Sequence, residues 1–582
     1  MGKRFSADFE TATWLENETF VWAWAVCEIG NEDNLHIGNN IDSFMEYLLK
    51  NEGSTFYFHN LKFDGEFILY WLLHHGYEFI SDSKNAKSKS FTTLISNMGQ
   101  FYNICIYEEV KGKNHKKINI NDSLKILPFS VNQIAKSFGL PISKLKIDYN
   151  EIRERNHLLT QQEIDYIKND ILIVSYALKT LFNEDLNKMT IGSNALKNFK
   201  DIISINNFNK LFTKIDDKLD EEIRKAYKGG FTYLNPYYKE KDTGRGITLD
   251  VNSLYPSCML KPLPYGDPVY FIGKYEEDRE YPLYIQKIAC SFKIKKNKIP
   301  TIQIKGTFDY IPNEYITTTN GEIEILTMTN IDLKLFLEQY NVKNLEYIEG
   351  WKFKSMKGIF DKYINKWTER KIKATIEGNK GQRQLAKLML NSLYGKFATR
   401  LQVQEKEPFL GDDDIIHYRL LPIEEKEGLY IPIACFITAY AREKTIRTSQ
   451  AITDYSIEKY GIDKYIYSDT DSISTTLSIE EVQKFCEISD TELGKWAHEN
   501  TFDNAKFIRQ KTYLKLIDDE IHITCAGMPK SCYDFVSWEN FKVGFTCGGK
   551  LVYKHVKGGV KLVETEFTIK GDKILRKNIK SF

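Results

Sequence analysis

A multidomain chain of α/β and α+β type is what this sequence predicts. Three observations point there. The first 190 residues mix strongly apolar strands with amphipathic helices. The middle holds a strand that ends in an acid, followed by a helical pair broken between Glu377 and Gly381. Further on, the apolar Tyr465-Ile466 runs into Tyr467-Ser468-Asp469-Thr470-Asp471-Ser472, where carboxylates two residues apart project to one side of a strand-to-turn point.

In chain order, Phe20 to Ile29 is apolar enough to be a strand buried on both faces. Residues 41–50 and 64–76 have the apolar spacing of helices. Gln161 to Phe182 is a helix with Thr160 as N-cap and Glu163 at the capping-box position. Strands followed by helices suggest an α/β nuclease-like domain. Residues 191–230 read as a helical linker ending at Gly229-Gly230, a hinge or a close backbone approach. Gly246 to Val251 is a strand, 285–350 is strand-rich, and 361–396 is a helical hairpin. Residues 401–430 read as polar and irregular, Ile431 to Thr448 as an apolar helix, and 540–582 as a Gly- and Lys-rich β tail.

Composition narrows the class. The 582 residues suffice for several domains, and 42% apolar with 13% aromatic content can bury real cores. A net charge of +1 is bland. The lysines are clustered, however, at Lys84-Lys87-Lys89, Lys111-Lys113-Lys116-Lys117, Lys293-Lys295-Lys296-Lys298 and Lys352-Lys354-Lys357. Nine scattered cysteines without a CxxC pair suit a reducing cytosol with no zinc site. No signal peptide and no apolar run near 18 residues is present, so the expectation is a soluble, non-secreted protein with no membrane partner.

Two constellations carry chemistry. On a strand, Asp8 and Glu10 share a face while Ala7 and Phe9 take the other. Asn60 and Asp64 follow a second apolar strand, and Tyr166 and Asp170 are four apart on one helix face. Four carboxylates from separate elements can hold two divalent ions about 3.5–4 Å apart for phosphodiester hydrolysis, with Tyr166 orienting water. The second set begins with Asp250, at the end of Gly246 to Val251 and before the turn to Tyr255. Asp250 with Asp471 can bracket two magnesium ions, helped by the Val251 carbonyl. On the second hairpin helix Lys387, Asn391 and Tyr394 lie on one stripe, extended by Arg383 and by Lys373 from the first helix. A lysine for a triphosphate and a tyrosine for a base suit an incoming nucleotide, with the Tyr255 ring under its sugar.

Asp8-Phe-Glu10, Asn60-x-x-x-Asp64 and Tyr166-x-x-x-Asp170 resemble the three exonuclease motifs of the DEDD superfamily, found in proofreading domains. DVNSLYP from Asp250, KLMLNSLYG from Lys387, YSDTDS from Tyr467 and Lys511-Thr-Tyr513 resemble the family B DNA polymerases, in the same order. The resemblance spans nearly the whole chain. It is greatest to the protein-primed polymerases of small tailed bacteriophages, the Bacillus-phage (Picovirinae) type.

The resemblance implies an RNase H-like exonuclease domain and a right-hand polymerase (palm, fingers, thumb) with two terminal-protein-region insertions. The boundaries expected are 1–190 exonuclease, 191–260 linker and first palm, 261–300 palm, 301–358 first insertion, 359–398 fingers, 399–428 second insertion, 429–539 palm and 540–582 thumb. It further implies single-strand contacts at Thr11, Asn60, Phe63 and Ser123, and an exonuclease lysine at Lys144 or Lys146. Tyr227, Gly229 and Gly230 match the linker motif that contacts DNA, and Lys511 and Tyr513 the element at the primer end. Arg383 stands where a lysine is common. The implied ligands are template-primer DNA, dNTPs, a terminal (priming) protein and Mg2+, two per site with Mn2+ able to substitute. The implied enzyme is a virus-encoded monomer in the bacterial host cytoplasm, performing two-metal nucleotidyl transfer with Asp469 as a supporting acid. Competing readings are a nuclease whose C-terminal half only binds DNA, a non-catalytic scaffold, and a nucleic-acid-primed repair or plasmid polymerase.

Overall fold

The computed structural model describes residues 2–111, 116–149, 151–303 and 315–571. Lys113, part of the 301–358 segment and the end of the tail lie outside them. The N-terminal part is built on an eight-stranded mixed sheet. Its spatial order is Asn31–Gly38, Val21–Glu28, Arg4–Thr11, Thr55–Phe58, Ile118–Asp122, Phe101–Tyr107, Ser90–Ile95, Glu78–Phe79. Arg4–Thr11 pairs parallel to Thr55–Phe58 and antiparallel to Val21–Glu28. Alternation divides its side chains: Phe5, Ala7 and Phe9 join the core under helices Ile41–Lys50 and Leu61–His74.

Helix Gln161–Phe182 packs on Arg4–Thr11 and Val21–Glu28. It starts where the sequence places it, at a Thr160 capping box with Glu163. The second predicted helix runs Leu61–His74, beginning three residues early because Asn60 adopts φ 77° at its N-cap.

A five-stranded antiparallel sheet centres the second half, in the order Trp496–Phe502, Gly246–Val251, Ser472–Thr475, Tyr465–Asp469, Thr232–Leu234. The apolar helix is longer than the sequence reading, running Ile431–Tyr460 until Gly461 ends it in a left-handed conformation. Helices Asp361–Ile376 and Lys380–Ser392 form the expected hairpin. The 401–430 segment is not irregular: Lys406–Leu410 pairs with Ile416–Leu420 and Gln402–Val403 with Glu424–Glu425. Its polar side chains hid the strands because much of each lies on the surface.

A four-stranded sheet takes Leu263–Ile272 and Leu283–Ile294 from one side of residue 300 and Glu324–Thr329 and Tyr340–Met356 from the other. The expected boundary at 300/301 therefore cuts through one sheet. Strands Thr546–Val556 and Gly559–Thr568 make the terminal hairpin. One core cluster runs from Ile173 and Ala177 through Phe199 and Phe208 to Leu385, Phe436 and Trp496, so the two halves share buried surface.

Candidate active sites

The first centre lies where helix Gln161–Phe182 faces strand Arg4–Thr11. Glu10, Asp64 and Asp170 are buried. Burial and the charge of Asp170 push Asp8 up to about 7, while Lys144 opposes them. Burial, then Asp8 and Asp170, hold Glu10 well above the usual carboxylate range. Burial, then Asp8, does the same to Asp64. Of the two lysines, Lys144 is the one that forms an ion pair with Asp170 among the described residues. The Tyr166 hydroxyl meets that of Tyr149, a residue the sequence reading passed over although it lies five beyond Lys144.

The set fits divalent cations. Oxygens Asp64 Oδ1 and Asp170 Oδ1 are buried without a hydrogen-bond partner among the described residues. Among the described residues no three of these side chains stand close enough together to close a metal cage by themselves. What they share is a cluster of carboxylates that Lys144 offsets only in part.

Around this centre Asn60 donates to the Tyr553 hydroxyl at 3.0 Å, and the Phe63 ring lies 6.4 Å from Tyr553, so both face the terminal hairpin. Thr11 is nearly buried at the strand end. Ser123 departs from its expected role. It is fully buried, donates to the Phe58 carbonyl at 3.0 Å and sits 3.0 Å from His59 Nδ1. It braces the strand end, and the 3₁₀ turn Ser123–Lys125 that it opens folds its side chain inward.

The second centre lies where the C-terminal end of Gly246–Val251 meets the turn between Tyr465–Asp469 and Ser472–Thr475. Asp250 pairs in register with Ser472, and the Val251 N–H donates to the Asp471 carbonyl at 2.8 Å. Burial, then Asp471 and Glu499, raise Asp250 to about 7, with Lys387 opposing. Asp471 is raised by burial, by Asp469 and by Glu499. Glu499 escaped the sequence reading: it sits at a register shift of strand Trp496–Phe502, and nothing local announces it. Asp469 is held apart, accepting from Thr232 Oγ1 at 3.2 Å and pairing with Lys511 Nζ at 3.1 Å. The Lys511 N–H donates to the Tyr467 hydroxyl at 2.9 Å, and Tyr513 packs on that ring.

Arg383, Lys387 and Asn391 form an exposed stripe at i, i+4 and i+8. The helix ends at Ser392, so Tyr394 lies in a 3₁₀ turn and stacks on Tyr255 with centroids 4.1 Å apart. Lys373 does not join the stripe. It points to Glu377 on its own helix at 3.8 Å, and Lys371 is the lysine lowered by burial and by the charges of Arg383 and Lys387. The 3.6-residue period separates these two lysines by about 200° around the helix, a signal the sequence reading could have used. Tyr227, Gly229 and Gly230 lead into strand Thr232–Leu234, and buried Arg442 donates to the carbonyls of Lys228 and Gly229 at 2.6 and 2.9 Å.

Comparisons place this geometry among known proteins. A family model described as DNA polymerase type B, organellar and viral, matches residues 46–489. The DNA polymerase of Bacillus phage M2 is 46% identical, with 98% of this chain and 100% of the relative covered. That of Bacillus phage phi29 is 45% identical, covering 98% and 99%. A solved structure of phi29 DNA polymerase with primer-template DNA and incoming nucleotides superposes with a TM-score of 0.90 at 44% identity, covering 98% of this chain and 100% of that one.

Proposed function

The chain belongs to the organellar and viral type B DNA polymerases, and from that premise we propose a protein-primed phage replicase that displaces strands and proofreads with its own 3′–5′ exonuclease. It is a DNA-directed DNA polymerase. The observation that carries the two-activity reading is the pair of separate carboxylate centres, the first buried and the second half-buried, with Lys144 at one and Lys387 and Lys511 at the other.

Two Mg2+ per centre, with Mn2+ able to substitute, would supply Lewis acidity when bound. Asp8, Glu10, Asp64 and Asp170 would hold them at the first centre, and Asp250, Asp471 and the Val251 carbonyl at the second. Arg383, Lys387 and Lys371 neutralise the triphosphate. Asn391 lines the same stripe. The Tyr255 and Tyr394 rings offer flat faces to sugar and base, and Tyr255 excludes a 2′-hydroxyl. Lys511 and Tyr513 steady the primer end. At the first centre Lys144 pairs with Asp170 and opposes the rise that burial gives its pKa, and Tyr166 with Tyr149 orients the attacking water. Thr11, Asn60 and Phe63 hold a frayed single strand.

By this reading residues 1–190 are the exonuclease domain and 191–260 the linker and first palm segment. The first insertion extends over 261–358, since one sheet unites it, and the terminal protein docks there. Residues 359–398 are fingers, 399–428 the second insertion, 429–539 palm and 540–582 thumb. No described helix is long and apolar enough to cross a membrane. The protein acts as a monomer in the host cytoplasm.

The test is extension and degradation on a primed single-stranded circle in Mg2+. Asp471→Ala loses extension and keeps degradation, and Asp8→Ala/Asp64→Ala does the reverse. Products longer than one circuit without helpers establish displacement. Adding the priming protein to an unprimed linear template distinguishes protein priming from a nucleic-acid-primed enzyme. Extension surviving Asp471→Ala would sink the assignment.

A further inference from the structure

Strand Thr512–Ile517 packs on strand Trp496–Phe502, and alternation puts Tyr513 and Lys515 on one of its faces. Each touches a strand that carries an acid of the second centre. The Tyr513 ring lies 5.5 Å from that of Tyr467, which stands two residues before Asp469. Lys515 Nζ donates to Thr248 Oγ1 at 2.6 Å, and Thr248 stands two residues before Asp250. Thr248 and Asp250 therefore share a face of strand Gly246–Val251.

Lys515 is 6% exposed, a rare burial for a lysine. Its ammonium lies 5.5 Å from the Phe502 ring and 5.3 Å from the Tyr513 ring. Its hydrogen bond goes to a neutral hydroxyl, and the carboxylate whose charge reaches it is Glu499. Glu499 sits in a bulge. Thr248 pairs with Asn500 and Leu249 with His498, which leaves Glu499 as the extra residue of its strand. The same charge raises both Asp250 and Asp471. Lys515 thus meets the strand of Asp250 at the bulge that aims Glu499 toward the centre.

A buried cation bonded to one neutral hydroxyl costs stability. An apolar side chain of similar length would hold the same packing at least as tightly. A local rule broken in this way is typical of residues that serve a site. We propose that Lys515 is a positioning residue for nucleotidyl transfer: through Thr248, and against the charge of Glu499, it fixes the end of strand Gly246–Val251 and so the place of Asp250 beside Asp471. This role rests on the polymerase function proposed above.

The test measures thermal unfolding, single-nucleotide addition with the dNTP varied, and degradation of single-stranded DNA in Lys515→Met and Thr248→Val. Lys515→Met melts at or above the wild-type temperature, because an apolar chain replaces a buried charge. Its kcat for addition nevertheless falls roughly tenfold to a hundredfold, the loss expected of a displaced catalytic group. The KM for dNTPs and the degradation rate keep their wild-type values. Thr248→Val lowers kcat in the same way, and the double variant is no slower than Lys515→Met, since both remove one contact. Lys515→Arg, which keeps the charge and the donors, recovers part of the rate. A wild-type kcat in folded Lys515→Met overturns this role. So does a lower melting temperature with addition and degradation reduced alike, which is what a merely structural residue would give. If Lys515→Met does not fold, Thr248→Val decides by the same measurements. A wild type that adds no nucleotide refutes the polymerase function itself, and is told apart because it needs no variant.

Discussion

Gly230 packs against Thr470, so closely that a Cβ on Gly230 would stand 2.7 Å from both Cγ2 and Oγ1 of the threonine. Thr470 separates Asp469 from Asp471 and has φ +61°. Its N–H donates to the Phe231 carbonyl at 2.7 Å, and its own carbonyl accepts from Thr445 at 2.7 Å. The linker from the exonuclease half is therefore one wall of the polymerase turn. Gly230→Ala should move Asp471 and lower extension roughly tenfold to a hundredfold, with single-strand degradation retained. Gel assays of both activities on one preparation check this, and equal loss of the two would contradict it.

Lys144 pairs with Asp170 beside Asp8, Glu10 and Asp64. Lys144→Ala should lower degradation of single-stranded DNA by about a hundredfold, with extension unchanged, because the charge lost is local to one centre. Lys144→Arg should recover part of it. Full degradation by Lys144→Ala would show that Asp170 needs no cation from the protein.

The two lysines of the first fingers helix should behave differently. Lys371→Ala raises the KM for dNTPs roughly tenfold, since Lys371 shares the field of Arg383 and Lys387. Lys373→Ala changes it little, its partner being the exposed Glu377. Steady-state kinetics with one dNTP varied decides between them.

Arg442 is 6% exposed and holds Asp332 through Nη2 at 2.6 Å and Nε at 3.0 Å, as well as the linker carbonyls. Arg442→Ala takes the cation from the largely buried Asp332, which keeps its bond from Thr329 Oγ1 at 2.9 Å, and removes a donor from the two linker carbonyls, and should cost about 3 kcal/mol. Thermal unfolding measures it, and a melting temperature equal to wild type would refute it.

Glu163 caps helix Gln161–Phe182. Burial opposes its charge, but Arg153, the Thr160 N–H and His157 outweigh it and hold the carboxyl down at about 2, from an ordinary 4.5. A depressed acid contributes stability that is present in full above about 4.5 and is lost as pH falls towards 2. Urea unfolding at pH 6 and pH 3.5 should show this loss, and Glu163→Gln should flatten the difference. An identical pH slope in that variant would mean other carboxylates carry it.

Much of both centres was legible in the chain because their acids sit at strand ends or on one helix turn, where period 2 and period 3.6 leave a local trace. Asp8, Glu10, Tyr166, Asp170, Asp250 and Asp471 are of this kind. Lys371 had such a trace in its helical phase. Glu499 did not: it reaches Asp250 only through strand pairing across more than two hundred residues.

By itself the sequence determined the elements and their chemistry: the Thr160 cap, the alternation that turns Asp8 and Glu10 away from Phe9, the polar stripe of Arg383 and Lys387. Those are properties of neighbours along the chain. Only the tertiary structure decided that Ser123 is a buried brace, that Tyr255 and Tyr394 stack on each other, and that Gly230 seats Thr470. It alone joined Glu66 to Tyr418 and His555, 352 and 489 residues away. Contacts at such separations follow from which faces must be buried together, and no local period records that choice.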